Sequence, residues 1–513
     1  MSRSRHRRKQ SQAGQAGAKA TAQVAGAAQS PISHASLWLA AAFLVPNLGA
    51  LACGFVFDDR ILIVENASLH VQSLSQLAHI WKSGYWPDGN RGLGLYRPVV
   101  QTVWALIWAA GGNSHPGLFH AIGLALGLAV VLLLYRFLLA VKTPPQTAFI
   151  AALLFALFPI HTEATTSVVG SAELMATAFG LGALILYWRN QPIGALILFA
   201  LAVFSKESAA AFAALPLVFQ RKQEPSRNSR LAAAGAVVVI AAALLAHQAV
   251  SGNSPIPPID NPTALVDGGK RILTALWVQY LYVFKTLVPV TLSADYSYKQ
   301  IPLVMGLGDW RAWAGLGLAG GALFLALRRP EFRSSMLTYA ILFSPTANIL
   351  FPIGTIMGER LVYAPSIGLA LLLSILLVRS RHTKMVLVVV TLAFAARTAV
   401  RNLDWLNAER FYGKLVKTAP GSAKSYYSIG VLRAANDDDA SAIVDYDRAI
   451  AIFPAYAEAY RNRGNSLVRL GRREEAMASY RQCLRFDPED FAAAYNLGKL
   501  QAGLTVNPPR AHP

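Results

Sequence analysis

"SLWLAAAFLVPNLGALACGFVFDDR", residues 36–60, runs from Ser36 to Phe57 without a charge and then meets two adjacent acids and an arginine. A helix needs about 20 apolar residues to cross about 30 Å of hydrocarbon. Residues 36–54 meet that requirement, and a charge at such a border is expensive unless it has a partner or a task. Apolar runs of similar length recur as far as about Val400, and the whole chain of 513 residues is 54% hydrophobic and only 14% charged, with a mean hydropathy of +0.39. These values exclude an ordinary soluble enzyme and indicate a polytopic membrane protein.

The formal net charge of +20 does not gather into a nucleic-acid patch. Its basic residues lie in a leading tail and in short loops between apolar runs. The tail, residues 1–35, opens "MSRSRHRRKQ" and is too polar to pack. With no small-residue cleavage site evident after the first run, that run reads as a retained span. Further basic loops fall at "VKTPPQ" (141 to 146), "WRNQP" (188 to 192), "RKQEPSRNSR" (221 to 230), "RRPEFR" (328 to 333) and "RSRHTK" (379 to 384). The positive-inside bias places all of these with the tail in the cytoplasm, which leaves about 11 spans and sends the loops at 55–115, 161–170, 204–208, 251–311 and 351–361 outward. Two further apolar pieces, near 98–111 and 271–289, would break the alternation and are assigned to the outer membrane surface. Cys53 and Cys483 fall in different regions, so no disulfide framework is expected.

Residues 403–500 repeat at an interval of 34: Gly430, Gly464 and Gly498; Ala408, Ala442 and Ala476; Tyr412, Tyr446 and Tyr480; Pro420, Pro454 and Pro488. That period and those small residues predict a tetratricopeptide-repeat α-solenoid. Eleven crossings place it on the outward side, and residues 501–513 read as a flexible tail. The expected fold is therefore all-α: a helical membrane bundle over 36–402 and a C-terminal solenoid that offers a groove to a protein or only braces the bundle.

The outward loops carry "FVFDDR" (Asp58, Asp59), "YRPVV" (Tyr96, Arg97), "HTEATTSVVGSAEL" (His161, Glu163, Glu173), "SKES" (Lys206, Glu207), "DNP" (Asp260), "SADYSY" (Asp295, Tyr296) and "IGTIMGERLVYAPS" (Glu359, Arg360, Tyr363). Ionisable groups at span ends are functional-site candidates. Each has a structural alternative. Asp58 and Asp59 suit the N-terminus of a following helix, Lys206 with Glu207 and Glu359 with Arg360 suit local ion pairs, and a lone His161 suits a backbone carbonyl. Arg360 stands out, because a guanidinium at this depth commonly binds a phosphate or carboxylate.

Together, in this order and followed by the repeats, "FVFDD", "YRP", "HTEATTSVVGSAEL", "KES", "DNP", "SADYSY" and "ERLVYAPS" resemble the transmembrane and tetratricopeptide-repeat-containing O-mannosyltransferases of the GT-C superfamily. The resemblance covers about residues 36–500. It departs from the family pattern at Ser171, where an Arg is common, and beyond His120, where an Asn and a second His are absent.

The resemblance implies transfer of mannose or another hexose from a polyprenyl-phosphate donor, undecaprenyl or dolichyl, to an acceptor hydroxyl on the non-cytoplasmic face. Asp58 or Asp59 is then the general base. Arg360, Lys206, Arg97 and His161 bind the donor phosphate, and Glu163, Glu207, Tyr96, Asp295, Tyr296 and Glu359 bind substrate. A single base implies inversion at the anomeric carbon. No metal site is assigned, although paired acids can take a divalent cation. The repeats would receive a protein acceptor or partner, and the compact loops favour a bacterial inner membrane with the repeats in the periplasm over an endoplasmic-reticulum membrane with the repeats luminal. The competing readings are a membrane-anchored repeat scaffold without activity and a lipid or polysaccharide transporter.

Overall fold

The computed structural model describes residues 30–87, 94–112, 115–219, 226–251 and 255–509, and every regular element among them is a helix. Most of the basic tail, residues 221–225 of the "RKQEPSRNSR" loop and the last four residues lie outside the described residues.

Helix boundaries follow the sequence chemistry. Pro116, Pro145, Pro192 and Pro330 each occupy the first helical position, where a missing N–H costs nothing and φ is already helical. Side chains cap other starts: Asp267 accepts from Lys270 N, Asp309 from Arg311 N, Asn407 from Arg410 N and Ser422 from Ser425 N.

Six helices among the described residues are long and apolar enough to cross a bilayer: His34–Ala52, Pro116–Ala140, Ser171–Trp188, Arg227–Val250, Trp310–Arg328 and Thr383–Trp405. A seventh crossing is available if Pro145–Leu157 and Pro159–Thr166, which meet at a bend of 53°, count as one span. Pro192–Ser205, Glu207–Val218 and Ser366–Val378 are apolar but shorter. The expectation of about 11 spans also counts such shorter apolar runs as crossings.

The two ends of the bundle differ in chemistry. At one end the basic loops meet, with Arg379 3.3 Å from Glu331 and Ser226 donating to Asn190. At the other end the acids of the intervening loops converge. Pro98–Ile107 buries Val100 and Trp104 in an apolar cluster with Val168, Val169 and Met175, roofing that end. Gly268–Leu287 packs along Trp310–Arg328.

Beyond Trp405 the chain forms paired helices, Ala423–Ala435 with Asp439–Ile452 and Ala457–Arg469 with Arg473–Phe486, followed by Phe491–Gln501. The repeated Gly and Tyr columns have a steric cause. A Cβ on Gly430 would lie 2.8 Å from the Tyr446 ring, and one on Gly464 2.7 Å from Tyr480, so each glycine lets the tyrosine of the second helix lie against the first. Gly498, with no following helix among the described residues, has nothing within 4 Å.

This solenoid sits on the acidic end of the bundle. Gly54 N donates to Leu406 O at 3.1 Å, while Lys299 N donates to Gly421 O and Ala423 N to Tyr298 O, both at 2.7 Å.

Candidate functional site

The two adjacent acids have different surroundings. After the first apolar helix the chain turns through Phe57, which adopts left-handed φ (57°), and the side chains that follow diverge. Asp59 points inward. One of its oxygens accepts from Val169 N at 2.8 Å and Ser167 Oγ at 3.2 Å, and the other from Val168 N at 3.3 Å. Asp59 therefore ties the first loop to the turn that opens the Ser171–Trp188 helix. Burial pushes its carboxyl from the ordinary 3.8 up to about 7, against the downward pull of those N–H groups.

Asp58 points the other way. Its side chain remains one-fifth exposed (20%), and Oδ2 lies 3.5 Å from a terminal nitrogen of Arg360. That arginine is held from behind by buried Glu163, one of whose oxygens accepts from the Arg360 backbone N–H at 3.0 Å and the other from its Nη1 at 3.1 Å. The Glu163 contact is the tighter one. Glu163 fixes the guanidinium, and Asp58 meets its free edge.

A second arginine stands nearby. Arg97 makes a two-pronged pair with Glu207, Nε at 3.0 Å and Nη2 at 2.7 Å, and its guanidinium carbon lies 4.9 Å from the centre of the Tyr85 ring. Tyr85 is buried within electrostatic reach of Arg97, Arg360 and Asp58 together, so these groups surround one small volume. Behind them Lys206 pairs with Glu173, and both side chains are almost completely buried. A small cavity of roughly 10 Å³, room for about one water, lies between Glu173, Ala209, Phe212, Leu342, Leu361 and Ala364.

The remaining candidates lie away from this mouth. His161 is buried, its Nε2 2.8 Å from Ser366 Oγ and its ring packed against Phe155 and Tyr363. Tyr96 donates to Trp81 O at 2.7 Å. Glu359 is fully buried and accepts from Ser293 N and Tyr296 Oη, both at 2.6 Å. Burial raises its carboxyl above the ordinary range, opposed by Arg401, whose guanidinium is 3.6 Å away. Asp295 accepts from Ser297 N at 3.0 Å and from the hydroxyls of Ser422 and Ser425, both in the first repeat.

Sequence reasoning passed over Arg401, Tyr85 and Lys424, which pairs with Asp260. Arg401 had a usable signal, a charge at the outward end of the last apolar run. Tyr85 and Lys424 had none, because their importance comes from neighbours distant in sequence. Ser171, where the family pattern has an Arg, accepts from Trp104 Nε1 at 3.0 Å.

Asp59 spends both oxygens on the 167–169 turn and Asp58 faces Arg360, so the acid pair does not present a chelating face to one divalent cation. Among the described residues no three His, Cys, Asp or Glu side chains group together.

Residues 255–323 match the profile of the family described as "Protein O-mannosyl-transferase TMTC, DUF1736", and residues 464–504 match the TPR repeat. Among curated proteins, the chain is 27% identical over 433 residues to a protein O-mannosyl-transferase of Caenorhabditis elegans, covering 81% of this chain and 62% of that protein. It is 26% identical over 485 residues to protein O-mannosyl-transferase TMTC3 of Mus musculus, covering 84% of this chain and 52% of that protein. It is 28% identical over 479 residues to protein O-mannosyl-transferase TMTC1 of Homo sapiens, covering 80% and 54% respectively. The chain thus resembles these transferases over most of its own length and spans about half to five-eighths of theirs.

Proposed function

We propose that this chain is an integral-membrane glycosyltransferase that moves mannose or another hexose from a polyprenyl-phosphate donor to a Ser or Thr hydroxyl of a protein. The carrying observation is the mouth at which Asp58 meets the free edge of a guanidinium clamped by Glu163, with a second arginine beside it. The names of the relatives support the sugar and the acceptor class.

The chemistry follows from charge. The donor phosphate carries negative charge that grows as its oxygen departs from the anomeric carbon. Arg360, already fixed through Glu163, stabilises that charge without reorganising, and Arg97 adds a second fixed cation. The contact between Arg360 and Asp58 is the loosest around the guanidinium, so an arriving phosphate displaces Asp58 first. Freed of Arg360, Asp58 accepts the proton of the acceptor hydroxyl. The acceptor oxygen bonds to the anomeric carbon as the carbon–oxygen bond to phosphate breaks, the electron pair leaves with the phosphate, and the configuration inverts. Asp59 holds the loop that carries Asp58. The site then faces the non-cytoplasmic side, of a bacterial inner membrane by the compactness of the loops, with the repeats presenting the acceptor polypeptide.

The test is to incubate purified protein with synthetic polyprenyl-phosphate mannose, polyprenyl-phosphate glucose and Ser/Thr peptides, following product mass and anomeric configuration. One donor should be consumed with inversion, and Asp58→Asn should lower the rate by about 10²–10⁴-fold with the melting temperature preserved. Retention of configuration, or full activity in Asp58→Asn, would overturn the reading. A chain that consumes no donor yet captures partners through the repeats would be a scaffold.

A further inference from the structure

The segment 293–300 lies between the repeats and the turn that carries Arg360, and it is bonded to both. On the repeat side, Asp295 accepts from the hydroxyls of Ser422 and Ser425, Ser297 Oγ lies 2.9 Å from Ser422 Oγ, and Thr418 Oγ1 donates to Ser293 Oγ at 3.0 Å. The two reciprocal backbone bonds at 2.7 Å between 298–299 and 421–423 run alongside. Gly421 permits this approach, since a Cβ there would lie 3.0 Å from Gln300 Oε1 and 3.2 Å from Lys299 O. On the bundle side, Ser293 N and Tyr296 Oη both donate to Glu359, the residue before Arg360. Asp295, Ser297, Ser422, Ser425, Tyr296 and Glu359 are all buried.

Buried polar groups joined by hydrogen bonds hold one arrangement because leaving any member unpaired is costly. Fixing the backbone at Glu359 also fixes the Arg360 N–H, which must meet Glu163. We infer that the first repeat is part of the donor site: Asp295, clasped by Ser422 and Ser425, acts with Glu359 as a positioning residue that sets where Arg360 lies. Asp295, Tyr296 and Glu359 then touch no substrate. Loosening the repeat side of the clasp weakens donor binding from a distance, although no repeat residue contacts the donor. This assignment rests on the glycosyltransferase reading for its consequence in catalysis and on geometry alone for the clasp.

The experiment uses the full chain with four variants: Asp295→Asn, Ser422→Ala, Ser422→Thr and Asp438→Ala. Ser422→Thr keeps the hydroxyl. Asp438→Ala removes a different helix cap in the repeats, the acceptor for Ser441 N, without touching the clasp. Two quantities are measured: hydrogen exchange at residues 358–363 without ligand, and the donor KM and kcat. Asp295→Asn and Ser422→Ala should speed exchange there by about tenfold and raise donor KM by about tenfold, about 1.4 kcal/mol, with a smaller change in kcat. Ser422→Thr should restore both, and Asp438→Ala should alter neither. Unchanged exchange at 358–363 in Asp295→Asn and Ser422→Ala, or an equal effect from Asp438→Ala, overturns the clasp. If the unmodified chain consumes no polyprenyl-phosphate sugar, the function reading fails while the exchange measurement still decides the clasp.

Discussion

The most exposed ion pair of the repeats and the most buried one of the bundle have opposite surroundings. In the repeats Arg472 and Glu475 sit three residues apart with side chains 47% and 50% exposed, although Arg461 with Asp490 and Arg469 with Asp439 join residues 29 and 30 positions apart and are better buried. At the polar mouth of the bundle Lys206 finds Glu173, distant in sequence, with side chains 4% and 6% exposed, Arg360 finds buried Glu163, and Arg401 bonds Asp404 at 2.9 Å while facing fully buried Glu359 at 3.6 Å. Exposed pairs are screened and worth little, whereas dry pairs cost desolvation to assemble and are costly to break. The second kind is a poor way to gain stability and a good way to fix the position of a charge.

The largest test of that contrast is Lys206→Ala. It leaves Glu173 buried without its cation and should destabilise the bundle by about 3–5 kcal/mol. The double replacement Lys206→Met with Glu173→Gln removes both charges and should recover most of that loss. Thermal unfolding in detergent measures both. Recovery would show that the pair is retained for placement of charge, and a double variant as unstable as the single one would break the comparison.

Next in size is Asp59. Asp59→Ala leaves the Val168 and Val169 N–H groups buried without an acceptor and should cost about 2–3 kcal/mol, while Asp59→Asn keeps a carbonyl for them and should cost less. The pH dependence sharpens this. With its carboxyl raised to about 7 in the folded protein and near 3.8 when unfolded, Asp59 keeps a proton on folding that the unfolded chain has already lost between those values. Its contribution to stability therefore falls as pH rises from about 4 to about 7 and levels off above. A melting series over that range should show the slope in the unmodified protein and a shallower one in Asp59→Asn.

The contrast also explains what could be read from sequence. The repeats were legible because their contacts are local and periodic: Gly464 and Tyr480 recur at a fixed interval because one makes room for the other. The mouth was legible only as a set of charged span ends. That Asp58 and Asp59, adjacent in the chain, face a guanidinium and a turn respectively depends on Phe57 and on residues more than a hundred positions away. Tyr85 escaped notice because the charges around it, Arg97, Arg360 and Asp58, are brought together only by the fold. The span count blurred for a related reason, since apolar composition does not report how short a helix the chain forms within a run.

The smallest expected effect lies at the other pole of the comparison. Arg472 and Glu475 form a two-pronged pair at 2.7 Å for each contact, shorter than the Arg360 contact with Asp58. Judged by distance alone, it is the stronger interaction. Both side chains are nevertheless open to water, where the pair exchanges good solvation for a good contact and pays the entropy of holding two long side chains. Arg472→Ala should leave the melting temperature within about 2 °C of the unmodified protein, and raising salt should erase what difference there is. Arg360→Lys, by contrast, keeps the charge but loses the planar fork that meets Glu163 and Asp58 at once, and should lower transfer at any salt. If salt rescues neither variant, or if Arg472→Ala proves as costly as Lys206→Ala, then burial is not what separates the two pairs.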